Sequence, residues 1–94
     1  MVLRIFGQRV KVKIVDGLIE SRSAVGYYDP TNSIIAIDSS LDKQEFQTTL
    51  LHEVMHVIFC RLSIVQSIEP QLQEILCDVI AKALYENFIL KNKK

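Results

Sequence analysis

The stretch Thr49-Leu50-Leu51-His52-Glu53-Val54-Met55-His56-Val57-Ile58-Phe59 decides how the rest of the chain reads. It contains His-Glu-x-x-His and both of the protein's histidines. Phe46, Leu50, Val54 and Ile58 recur at helical spacing as one apolar stripe, and Leu51, Met55 and Leu62 as a second. The pattern predicts a helix over residues 42–62, apolar around most of its circumference from Leu50 onward, as a central buried helix is. The polar exceptions, Thr48, Thr49, His52, Glu53 and His56, gather on the remaining side, like the wall of a cleft. On that helix His52 and His56 project from one face, one turn apart. Two neutral imidazoles so placed make half of a tetrahedral zinc site. Glu53 lies about 100° around the helix from His52. That puts it beside the ligands, where it can take a proton from a metal-bound water. The plainer reading is two histidines spaced this way by chance, and the complete motif on a predicted helix favours the metal.

Working outward toward the N-terminus, Ser39, Ser40 and Asp42 offer N-caps, with Glu45 three residues after Asp42 as in a capping box. Residues 33–38 and 24–28 read as strands. The turn cluster Asp29-Pro30-Thr31-Asn32 between them predicts an antiparallel hairpin. Residues 10–14, Val-Lys-Val-Lys-Ile, alternate as a half-buried strand does, and Asp16-Gly17 turns the chain after them. Toward the C-terminus, residues 63–69 form a short connection. Pro70 then suits the first turn of a second helix over residues 70–90. Leu72, Ile75, Leu76, Val79, Ile80, Ala83 and Leu84 give it a broad apolar face, and Lys91, Lys93 and Lys94 form a basic tail. Strands followed by helices make an α+β protein. A small antiparallel or mixed sheet of about three strands is expected against two long helices, the motif helix central.

A catalytic zinc needs a third protein ligand, and no further histidine exists. Glu74, eighteen residues after His56, is the candidate, delivered if the second helix folds back beside the first. Asp78 lies one turn further along the same face. It suits the carboxylate that accepts the other N–H of a ligating histidine. The two roles are exchangeable at this stage, and a solvated helix carboxylate is the ordinary alternative for Glu74.

These segments resemble a minimal gluzincin metallopeptidase of the ImmA/IrrE type. The resemblance runs from about Gly26 to Leu84. It rests on the strand at residues 34–38, on the motif stretch, and on Glu74-Ile75-Leu76-Cys77-Asp78-Val79-Ile80-Ala81, which is similar to the family's second-helix signature. The length of 94 residues predicts a single domain, residues 1–94, and the resemblance implies a zincin-like fold for it. It also implies one zinc ion on His52, His56 and Glu74, with Glu53 as general base and Asp78 supporting the first histidine. The implied activity is hydrolysis of a peptide or protein substrate, and the implied substrate edge is the strand at residues 34–38. Two features depart from that pattern. No room for the additional domain of longer relatives is expected within these 94 residues, and no third histidine stands ready for a tetrahedral oxyanion. Tyr27, Tyr28 and Arg61 are the groups available for that task, with ordinary strand packing the alternative for both tyrosines. A zincin-fold binding module that docks to a partner, its metal structural or absent, is the second expectation.

Composition narrows the partners. Eleven Lys and Arg balance eleven Asp and Glu, so global charge makes no case for nucleic acid or an acidic membrane. Arg9, Lys11 and Lys13 cluster locally and read as a solvated strand face. No apolar run approaches the roughly 20 residues of a membrane span. Cys60 and Cys77 sit in apolar helical contexts without a Cys-x-x-Cys, which predicts two buried free thiols and a reducing, cytoplasmic location.

Overall fold

The computed structural model describes residues 1–63 and 67–89. Four strands, β1 (Val2–Ile5), β2 (Gln8–Val15), β3 (Gly26–Asp29) and β4 (Ile34–Asp38), build one sheet. A short helix α1 (Leu18–Arg22) separates β2 from β3, and α2 (Lys43–Arg61) and α3 (Pro70–Leu84) follow the sheet. The protein is α+β as expected, but the sheet has four strands rather than about three. The added strand is β1. It forms a hairpin with β2 through Phe6 and Gly7, both at positive φ (53° and 77°). A phenylalanine rarely adopts that conformation, so the turn carries no conventional sequence signal.

Spatial order is β1-β2-β4-β3, with β1–β2 and β3–β4 antiparallel and β2–β4 parallel. β4 is therefore paired along both sides. This corrects the expectation that residues 34–38 offer a free edge: the edges are β1 and β3. The β3–β4 hairpin is as the turn cluster predicts. Asp29 Oδ1 accepts the Thr31 and Asn32 backbone N–H groups at 3.0 and 3.3 Å, and Oδ2 accepts the Asn32 side chain at 2.9 Å. These bonds, that of the Asn32 side chain first, hold the Asp29 carboxyl below its ordinary pKa.

One face of the sheet carries the core. Val10, Val12, Ile35 and Ile37 meet Val57 of α2, with Phe46, Leu50, Val54 and Ile58 packed around them. Each such fully buried aliphatic side chain contributes roughly 1.5–3 kcal/mol. α2 touches β3 and β4 on one side and α3 on the other, so the motif helix is central. Its start is the expected capping box: Glu45 N donates to Asp42 Oδ1 at 2.8 Å, and Asp42 N to Glu45 Oε1 at 3.1 Å. At its end Arg61 donates to the Ile5 carbonyl (3.2 Å) and to Ser33 Oγ (3.0 Å), fastening the helix to the sheet.

The opposite face receives α1 over β4. Its entry is organised by Asp38, whose carboxylate accepts Leu18 N (2.8 Å), Ile19 N (3.3 Å), Ser40 N (2.9 Å) and the Ser40 hydroxyl. The Ser40 bonds above all hold that carboxyl below its ordinary pKa. α3 has Pro70 in its first turn as expected, and it passes into a π-helical turn over Tyr85–Ile89. The predicted end of this helix at Leu90 and the basic tail lie outside the described residues. Among the described residues no helix is long and apolar enough to cross a membrane.

Candidate metal centre

α2 presents His52 and His56 with ring centroids 4.9 Å apart and their Nε2 atoms 3.2 Å apart. α3 packs alongside and brings Glu74 to both. Its Oε1 lies 3.0 Å from His52 Nε2, and its Oε2 lies 2.9 Å from His56 Nε2. Three inward-facing donor groups this close repel one another unless positive charge lies between them, as shared protons or as a cation. A tetrahedral metal with ligands at about 2.0–2.1 Å keeps neighbouring donors roughly 3.3 Å apart, close to the spacing seen here. The His52, His56 and Glu74 group can hold a metal ion.

Glu53 is 7% exposed. Burial, then the neighbouring Glu74 charge, pushes its carboxyl up to about 7. His56 is shifted the other way: burial makes its charged form costly, and the Glu74 charge only partly offsets this. Asp78 lies on the Nδ1 side of His52, where a supporting carboxylate belongs. Its Oδ1 is 4.0 Å from that nitrogen, beyond hydrogen-bond reach, and its Oδ2 bonds Lys82 Nζ at 3.0 Å.

The donors open into a cleft of about 780 Å³ between β3, α2 and α3. Both Tyr27 and Tyr28 border it. The register puts them on different faces. Tyr28 pairs with Ile35 and packs on the core beside α2, whereas Tyr27 pairs with Ala36 and carries the Arg22 guanidinium 4.3 Å above its ring. Arg61, the remaining oxyanion candidate, is occupied by Ile5 and Ser33 and does not border the cleft.

Sequence reasoning overlooked several cleft residues. Lys82 sits at the rim, and its spacing of four from Asp78 was the available signal. Cys60 continues the His52–His56 stripe by one more turn and is exposed in the cleft, which corrects the expectation of a buried thiol. Cys77 is buried as expected, and burial, then Glu74 and Glu53, push its thiol up to about 11. Gly26 brings β3 against α2 near the motif: a Cβ there would lie 2.8 Å from Thr49 Cγ2 and 3.1 Å from the Ala36 carbonyl oxygen.

Comparison with protein-family models, curated proteins and solved structures finds no match.

Proposed function

We propose that this chain is a zinc-dependent peptidase with a zincin-like fold, a gluzincin of the ImmA/IrrE type. The observation that carries the reading is the meeting of Glu74 with His52 and His56 at 2.9–3.0 Å beside a buried Glu53. His52, His56 and Glu74 are the zinc ligands, and when bound the ion acidifies a water and polarises the scissile carbonyl. Glu53 supplies the proton transfers. It takes a proton from the attacking water and passes it to the leaving amine, a task suited to a carboxylate buried beside the ligands. The substrate is a peptide or protein segment in extended form. With both sides of β4 occupied, such a segment adds to the free edge of β3, which borders the cleft. Unpaired Cys60 and Cys77 suit a reducing compartment, and the cytoplasm is the location proposed.

One observation favours a second reading, a binding module with a structural or absent metal: Arg61 is spent on the sheet, which leaves fewer groups for an oxyanion. The test is metal content of tag-free protein, followed by casein and peptide-library cleavage with and without chelator, for the parent and for Glu53→Gln. The peptidase reading expects about one zinc per chain in both proteins and chelator-sensitive cleavage by the parent alone. Equal cleavage by Glu53→Gln rejects the general-base role. Zinc without cleavage in either protein selects the binding module.

A further inference from the structure

We propose that the outward face of β1 and β2 docks on the sugar–phosphate backbone of nucleic acid. The strand register puts Arg4 directly opposite Arg9, and Lys11 and Lys13 follow Arg9 on the same side of β2. Val10 and Val12 point into the core, so these cations point away from it, and all four are exposed. Arg4 bonds the Gly7 carbonyl at 3.5 Å. Among the described residues none of the four forms an ion pair, and no acidic residue occupies the outward positions of these two strands.

Residues 42–86 hold seven acidic and three basic side chains, residues 1–41 four acidic and five basic, and four of those five basic ones gather on this one face. Arg9, Lys11 and Lys13 recur about every 6.6 Å along the strand, a regular row of positive charge roughly 13 Å long. A protein partner needs an apolar centre to its interface. Here the cations are interleaved only with Val2 and, at the end of β2, Val15. Phosphate contacts need only positioned charge, which this face has. The face lies on the opposite side of the sheet from α2, so docking leaves the metal-centre cleft open, and it does not depend on peptidase activity.

Fluorescence anisotropy of a labelled 20-base-pair duplex, titrated with the full chain from 20 to 200 mM NaCl, tests the proposal. Four phosphate contacts give a slope of log K against log salt of about −3.6. Replacing both Arg9→Gln and Lys11→Gln reduces the slope by about 2 and weakens binding at least tenfold at low salt. Arg4→Gln with Lys13→Gln does the same by an independent pair, which covers misfolding of either variant. Lys43→Gln, on the first turn of α2, leaves binding unchanged. The proposal is overturned if no duplex binds at 20 mM NaCl, or if neither pair of substitutions weakens binding. It is equally overturned if Lys91→Gln, Lys93→Gln and Lys94→Gln together abolish binding while the face variants do not, or if phosphatidylserine vesicles bind and DNA does not.

Discussion

Glu74 Oε1 lies 3.0 Å from His52 Nε2, although twenty-two residues separate them in the chain. The contact joins α3 to α2 at the motif and assigns Glu74, not Asp78, to the donor triangle. Glu74→Ala is therefore expected to abolish stoichiometric zinc binding. Under the zinc reading, Asp78→Ala keeps one zinc per chain at saturation, and affinity falls roughly 10- to 100-fold if its carboxylate closes the 4.0 Å gap to His52 Nδ1 when metal binds. Competition with a chromophoric chelator measures both. Equal loss in the two variants would return Asp78 to candidacy as a ligand.

The buried Glu53 carboxyl gives the metal-free protein a defined pH dependence. Its folded pKa is raised from 4.5 to about 7, so the folded state holds the proton more tightly than the unfolded chain. The stability contributed by this carboxyl is therefore greatest below pH 4.5, falls as pH rises toward 7, and levels off above, a change on the order of 3 kcal/mol. His56 acts in the opposite sense: with its pKa lowered, the protein loses stability as pH falls below 6.5. Glu53→Gln keeps the histidine contribution and removes that of the carboxyl. Urea unfolding of chelated protein should thus show Glu53→Gln gaining over the parent as pH rises from 4.5 to 7. A stability difference that stays constant with pH would contradict the burial assigned to Glu53.

What could be read from the chain beforehand follows the range of the interactions. α2 was legible because its capping box, its apolar stripes and its His-Glu-x-x-His motif are all local. Glu74 was legible as one of two carboxylates on a shared face, and only the packing of α3 could choose between them. Lys82 and Cys60 each extend a stripe already in view by one turn, so they were accessible and overlooked. Only part of the sheet order was accessible. The turn cluster pairs β3 with β4, but nothing local to residues 34–38 says that β2 covers the other side of β4. Nor could α1 be seen, since its N-terminal amides are satisfied by Asp38, twenty residues away.

Gly26 and Thr49 meet where β3 approaches the motif helix, and the missing Cβ makes the approach feasible. Gly26→Ala places a methyl group 2.8 Å from Thr49 Cγ2, too close for any unshifted pair of carbons. The expected cost is about 1–3 kcal/mol, by overpacking. Thr49→Ser removes Cγ2 and should recover part of it, leaving the 3.1 Å approach to the Ala36 carbonyl. Thermal melts of the two single variants and the double variant form the cycle. Strict additivity would show that the strain in Gly26→Ala is relieved elsewhere.

The alternation of β3 separates two adjacent tyrosines as candidates for the oxyanion. Tyr28 lies on the face of the sheet that carries α2 and packs against the core beside it. Tyr27 lies on the other face, with Arg22 stacked on its ring. Under the peptidase reading, the hydroxyl that can donate toward the scissile carbonyl is that of Tyr28. Tyr28→Phe removes that donor and retains the ring, so core packing and zinc content stay as in the parent while kcat falls about 10²-fold, the cost of an oxyanion donor. KM changes little, because the donor acts on charge that develops only in the transition state. Tyr27→Phe has no comparable effect on kcat, since Tyr27 borders the cleft from the other face of the strand, its ring held against Arg22. Steady-state cleavage of a fluorogenic peptide by both variants decides the matter, and a kcat loss confined to Tyr27→Phe would reverse the assignment.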